Sequence, residues 1–229
     1  MSAKPPSTNC PFARLRALAE GLEGIDIDVY QAAGKDPFEP IFGLGPSSSK
    51  IAFFGRDPGR EEVVVGAPFV GAGGRQIRSV LHQRRSSTPM AGVSDALAAG
   101  ADYFWANTVP YKPIGNKAWS MAVKRRFQPL VAEILLSQWQ GNQVITLGRE
   151  AFFWFAIGQS QAIKNQFEDH WARPDRFEKA LPICFQGPEK LPGRVLDLYP
   201  LPHPSPLNAV WFKQFPDLLA ARLNALELH

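Results

Sequence analysis

Three short stretches of this chain carry side chains suited to chemistry. The first is Gly55-Arg56-Asp57-Pro58-Gly59, followed by Arg60-Glu61-Glu62 and by Gly66-Ala67-Pro68-Phe69-Val70-Gly71. The second is Asn107-Thr108-Val109-Pro110, and the third is Leu201-Pro202-His203-Pro204-Ser205-Pro206-Leu207. Together they offer a carboxylate, an aromatic ring, an amide and an imidazole. An amide can read the hydrogen-bonding edge of a base, and an aromatic ring can stack on its face. A carboxylate can aid attack by water, and an imidazole can stabilise a departing anion. The combination suggests a base pocket, provided the fold brings the stretches together.

The elements that must position them read as alternating strands and helices. Residues 50–55 form a short apolar run closed by glycine, the pattern of a buried strand. Residues 103–107, 143–147 and 194–199 read as three more strands. Between them lie helical patterns: Leu15, Leu18, Ala19 and Leu22; Ile77, Val80 and Leu81; Phe127, Leu130, Ile134 and Leu135 in a helix over 121–139 with a basic start at Lys124-Arg125-Arg126. The aromatic run at 152–155 opens a buried helix, and a last helix runs from about residue 207 to 226. Residues 37–49, rich in Pro, Gly and Ser, mark a loop, and a long loop joins Gly55 to the helix after Gly74.

This alternation predicts an α/β fold: a three-layer α/β/α sandwich around a central, mainly parallel four-stranded sheet. Ligands in such sheets bind beyond the carboxyl ends of the strands. The three stretches follow the first, second and fourth predicted strands, so they are expected to converge. Residues 1–10 read as a flexible tail and 11–229 as one domain, with no internal repeat.

Composition limits the alternatives. The 229 residues are 45% hydrophobic and 20% charged, a foldable balance. The net charge of +4, from 25 basic and 21 acidic residues, decides nothing about nucleic acid, because local patches matter more than totals. The N-terminus lacks the apolar stretch of a secretory signal, and no apolar run is long enough for a membrane span. A cytoplasmic location without membrane contact is expected. Two cysteines, Cys10 and Cys184, are far apart and in no Cys-x-x-Cys pair, so no metal site or cofactor is expected from this chain alone.

Each residue also has a plainer reading. Asp57 before Pro58 is a common turn residue; its functional role would be to orient water and support positive charge developing on a sugar. Asn107 can cap a turn, Phe69 can be core, and Arg60-Glu61-Glu62 can be a solvated charge run. A lone histidine is more often structural. Ser205 and Pro206, however, read as N-cap and first residue of the last helix, which would set His203 by a positive helix end and favour its neutral form. The glycines of Gly71-Ala72-Gly73-Gly74 can cradle a phosphate at a helix start, but lack the Gly-Lys-Ser/Thr ending of a nucleotide loop. A DNA backbone phosphate is the better fit. Arg75, Arg78, Lys112 and Lys117 are candidates for wider backbone contact.

From about Lys50 to Phe215 the chain resembles the uracil-DNA glycosylase superfamily. It is similar to the iron–sulfur branch in the Gly-x-x-Pro-Gly turn with acidic residues after it, in Pro68-Phe69-Val70-Gly71, in Asn107 followed by Pro113 and Gly115-Asn116, in Leu147-Gly148-Arg149 and in His203-Pro-Ser-Pro206. Two departures stand out. The branch carries four cysteines, and Tyr111 stands where one of them would be. Arg56 replaces an acidic residue, and Asp57 stands where the branch has a non-acidic one. That Asp resembles the archetypal uracil-DNA glycosylases, whose water-activating Asp lies in a Gly-Gln-Asp-Pro turn. Those enzymes place a tyrosine directly after the Pro; here that residue is Gly59.

The resemblance implies a monofunctional DNA repair glycosylase that flips uracil out of single- or double-stranded DNA and releases it by hydrolysis. It implies catalysis by Asp57 and His203 without a cofactor. Gly55, Arg56, Phe69, Asn107 and Glu62 would contact the base, Glu62 by crowding its 5-position. Ser205, Leu207, Gly73, Arg75, Lys112 and Lys117 would contact DNA, with Leu207 filling the gap left in the stack. A monomer is expected. The alternatives are a glycosylase for another deaminated base and a catalytically silent module that binds DNA or abasic sites.

Overall fold

Helices α1 (Pro11–Glu20) and α2 (Ile27–Ala32) lead into strand β1 (Ile51–Gly55), whose five residues are all buried. The computed structural model describes residues 10–187 and 191–227, so the expected tail lies outside the described residues except for Cys10. After β1 come α3 (Arg60–Val65), α4 (Ala72–Gln83), α5 (Val93–Ala99) and β2 (Phe104–Asn107). A single 3-10 turn at Ile114–Asn116 precedes the long helix α6 (Met121–Gln138). Then follow β3 (Gln143–Leu147), α7 (Arg149–Trp154), α8 (Gln161–Ala172), β4 (Leu181–Phe185), β5 (Arg194–Leu201) and α9 (Ala209–Glu227).

The strands form one five-stranded sheet in the order β2-β1-β3-β5-β4. All neighbours pair in parallel except β4, which runs antiparallel to β5 at the edge. The expected sheet had four strands, and β4 is the addition. Its side chains alternate between half-buried or exposed and buried, and Pro182 interrupts its apolar run. A strand covered on one face at a sheet edge tolerates a proline and shows no continuous apolar signal. The opposite edge, β2, is covered by the loop before β1, where Leu44 accepts from the Trp105 N–H at 2.7 Å.

Side-chain alternation along the strands makes two cores. Ala52, Phe54, Val144, Leu196 and Leu198 face α1, α6, α7 and α8, packing with Phe127, Val131, Phe152 and Phe167. Ile51, Phe53, Ile145, Leu147 and Leu201 face α4, α5 and α9, packing with Ile77, Leu81, Ala99, Phe215 and Leu219. Helices thus cover both faces of the sheet, as expected from the near-continuous apolar strands. The chain runs from β1 to β2 on one side, then crosses to β3 on the other. That reversal opens a crevice at the carboxyl end of β1, the usual ligand position in such sheets.

Candidate active site

Backbone hydrogen bonds carry the strand ends past the sheet. The Thr108 N–H donates to the Gly55 carbonyl at 2.9 Å, and the Gly148 N–H to the Leu201 carbonyl at 2.8 Å. Beyond them lies a cavity of about 560 Å³ whose lining includes Gly55, Arg56, Asp57, Phe69, Asn107 and His203. Residues separated by more than a hundred positions in sequence meet here because parallel strands deliver their ends to one edge.

The Asp57 side chain is only 1% exposed. The Thr108 hydroxyl donates to its Oδ1 at 3.1 Å, and the Trp119 N–H donates to Oδ2 at 3.4 Å. Arg56 Nε stands 3.7 Å from Oδ2. Burial dominates and raises the carboxyl from its ordinary 3.8 to about 6, against the pull of Arg56, Lys124 and the two hydrogen bonds. At neutral pH the group is ionised yet unusually basic for a carboxylate, a state suited to orienting water and accepting its proton.

His203 is perturbed in the other direction, from 6.5 to about 4, by burial first and the charge of Arg56 second, with Glu150 opposing. It is therefore neutral at pH 7. The reason differs from the one the sequence suggested. Helix α9 starts only at Ala209; before it, Ser205 organises a turn, its carbonyl accepting from Asn208 at 2.8 Å and its hydroxyl from the Leu207 N–H at 3.3 Å. Ser205 thus caps a turn and not the helix. His203 instead packs on Gly148, where the backbone has φ +88° and a Cβ would lie 2.9 Å from the His203 Cβ.

Phe69 adopts φ +57°, a left-handed conformation costly for a residue with a side chain. Arg78 holds it there. Its Nε donates to the Phe69 carbonyl at 2.7 Å, Nη2 to Pro68 at 3.0 Å and Nη1 to Ala96 at 2.8 Å. The guanidinium also lies over Trp105, 4.4 Å from the ring centre. Arg78 is thus buried behind the pocket and is not a phosphate contact. Asn107 is buried at the end of β2, and its Oδ1 has no hydrogen-bond partner among the described residues. An unpaired buried acceptor at a cavity wall is normally satisfied by a ligand or water.

Other expected contacts are redistributed. Glu62 does not offer a free carboxylate to a base: Oε2 accepts from the Gly59 N–H at 3.0 Å, and Oε1 from Val70 at 3.0 Å and Gly71 at 2.7 Å. It ties the Asp57 turn to the Phe69 loop and puts its own negative charge at the start of α4, where a phosphate was expected. Gly73 allows the start of α4 to touch the His203 loop, since a Cβ there would lie 2.3 Å from the Pro204 carbonyl. Lys112 is also corrected. It is buried, with Nζ 2.7 Å from Asp26 Oδ2 and 3.0 Å from the Pro113 carbonyl, so it cannot reach a DNA backbone. Arg75 is exposed but paired with Glu61, Lys117 is exposed, and Leu207 is 99% exposed at the cavity rim.

Sequence reasoning missed Thr108, Lys124 and Glu150. Thr108 directly follows Asn107, so its place beside the site was visible in the motif. Lys124 is buried on α6 and ion-paired with Glu150 on α7, a pairing that no local pattern announces. Tyr111 is buried too, its hydroxyl donating to the Phe38 carbonyl at 3.2 Å and its ring edge-on to Phe127. Cys10 precedes α1 and Cys184 is exposed on β4. Two thiols cannot supply the four ligands of an iron–sulfur cluster, so the donor set does not fit one. Among the described residues no group of three or more His, Cys, Asp or Glu side chains is placed to hold a metal, and no helix is long and apolar enough to cross a membrane.

No curated protein matches the chain. The profile of the Uracil DNA glycosylase superfamily matches residues 42–227, from the loop that covers β2 to the end of α9. With that match spanning most of its length, the chain belongs to the Uracil DNA glycosylase superfamily, whose members are in general DNA N-glycosylases.

Proposed function

We propose that this protein removes uracil from DNA by hydrolysing the N-glycosidic bond of a flipped deoxyuridine, leaving an abasic site. The observation that carries the reading is the meeting of an ionised, sheltered Asp57, a neutral His203, the Phe69 ring and the unpaired Asn107 oxygen around one cavity. Uracil stacks on Phe69, and its N3–H donates to Asn107. As the bond between base and sugar lengthens, positive charge grows on the sugar and negative charge on the base. The Asp57 carboxylate stabilises the first and orients the water that attacks the sugar carbon. The neutral imidazole of His203 donates a hydrogen bond to the uracil oxygen that gains the negative charge. The water proton passes to Asp57, and uracil departs with the bonding electron pair. Leu207, bare on its turn, fills the space left in the duplex.

Incubation with a uracil-containing oligonucleotide followed by alkali tests the reading: strand cleavage at the uracil position is expected. Binding without cleavage would instead identify a silent DNA-binding module. A second reading has its own observation. Gly59 follows Pro58 in the turn, and the Glu62 carboxylate is occupied by backbone N–H groups, so neither puts a free bulky or charged group beside the base. A glycosylase for another deaminated base fits such a pocket, and oligonucleotides carrying hypoxanthine, xanthine or thymine, run beside uracil, discriminate the two.

A further inference from the structure

The base contact expected of Arg56 does not explain where its guanidinium lies. It follows the last residue of β1 directly, and its Nη2 donates to the Asn116 carbonyl at 3.1 Å. That carbonyl belongs to the 3-10 turn at Ile114–Asn116, where Asn116 itself has φ +56°. The anchor draws the guanidinium back across the turn, so that Nε stands 3.7 Å from Asp57 Oδ2. Nε is buried and has no hydrogen-bond partner among the described residues. Its role toward Asp57 is therefore electrostatic, exerted at a distance slightly beyond a hydrogen bond.

We infer that Arg56 is the positioning residue that holds both reacting groups in their working states, keeping the sheltered Asp57 carboxylate ionised and the His203 imidazole neutral. The inference rests on the uracil-release reading above. A buried carboxylate tends to take up a proton and a buried imidazole to lose one, so burial alone serves His203 and harms Asp57. A single cation in the wall of the cavity that both groups line corrects the first and reinforces the second. The surrounding charges make Arg56 the group that reaches both. Asp57 faces Arg56 on its own turn and Lys124 from α6, with the Thr108 hydroxyl and Trp119 N–H as neutral donors. His203 faces Arg56 and, from α7, Glu150. Lys124 and Glu150 are paired with each other, which leaves each a reduced field at the site. Arg56 lowers the proton affinity of both reacting groups, in the directions their roles require.

Two measurements test this. In single-turnover uracil release, Arg56→Gln is expected to move the acid limb of the pH–rate profile up by about one unit or more, the usual effect of losing a cation at this range. The rate at pH 7 falls roughly two- to tenfold and returns near the wild-type value at pH 9, whereas Arg56→Lys keeps the wild-type limb. A residue that merely propped the turn would lower the rate equally at all pH values. Independently of activity, the His203 ring titration followed by NMR, with His203→Gln to assign it, is expected to move up in Arg56→Gln. If Arg56→Gln does not fold, Arg56→Met replaces it in both measurements. An unmoved acid limb in an enzyme that does release uracil overturns the role of Arg56 and leaves the function standing. If the wild type releases no uracil, that reading fails, and the histidine titration still decides whether Arg56 controls His203: an unmoved titration overturns the inference.

Discussion

The Phe69 ring lies so close to the backbone of Gly55 that a Cβ on Gly55 would sit 2.5 Å from a ring carbon. The end of β1 is thus shaped around that ring, which also packs against Trp105 with ring centres 5.3 Å apart, while Arg78 holds the Phe69 carbonyl in place. Gly55→Ala should push Phe69 into the space a base would occupy. Uracil release is expected to fall about a hundredfold, as misplacement by an ångström can do. Affinity for undamaged DNA, measured by titration with fluorescent oligonucleotides, should stay within a factor of about two. A variant as active as wild type would remove Phe69 from the base site.

Asp57 and His203 should leave opposite marks on stability. Asp57 is more basic in the folded protein than when unfolded, so its contribution is present below about pH 4 and lost as pH rises to about 6. His203 is less basic when folded, so its contribution is present above 6.5 and lost as pH falls towards 4. The two slopes oppose each other between pH 4 and 6. Relative to wild type, Asp57→Asn should gain stability as pH rises through that window, reaching about 3 kcal/mol at pH 7, where a buried charge has been removed. His203→Gln should show the reverse trend. Urea unfolding across the window reads both. Asp57→Asn is at the same time expected to lose most turnover with DNA affinity unchanged, and His203→Ala to lose roughly a hundredfold or more, the scale of one oxyanion-type donor.

On the proposed reading, Asn107 governs the choice between uracil and cytosine. Uracil offers an N3–H donor and an O4 acceptor to an amide, whereas cytosine offers an N3 acceptor and an amino donor. The unpaired Oδ1 requires a donor, and uracil N3–H is one. Each buried mismatch costs about 1–3 kcal/mol, so Asn107→Ala should cut uracil release roughly ten- to hundredfold. Asn107→Asp should also cut it, while raising the rate on cytosine relative to uracil. Release of both bases by the three proteins tests the assignment.

Lys112 and Lys117, five residues apart, should behave differently. Lys112→Ala leaves Asp26 without its buried partner and should destabilise the fold by about 3 kcal/mol, while the salt dependence of DNA binding is unchanged. Lys117→Ala should leave stability intact and reduce the slope of log affinity against log salt by about one. Thermal melts and salt titrations of both variants separate the roles.

The apolar runs at β1, β2, β3 and β5, the helical spacing of α4 and α6, and the three stretches at the strand ends were all legible in the sequence. Each depends on local patterning, and the rule that parallel strands deliver ligand sites at their carboxyl ends did the rest. The half-covered edge strand β4 was not legible, because it buries one face and carries a proline. Nor was the short helix α3, hidden in a stretch rich in Gly and Pro. Side chains of one type at the surface and in the interior look alike in sequence. Only the tertiary structure separates Lys117 from Lys112, or shows that the Glu62 carboxylate is engaged by backbone N–H groups and Arg78 by backbone carbonyls. The same holds for the protonation of Asp57 and His203. Their residue types were given from the start, but burial and the charges of Arg56, Lys124 and Glu150 set their affinities for protons, and α6, α7 and the His203 loop reach the Arg56-Asp57 turn only when the chain has folded.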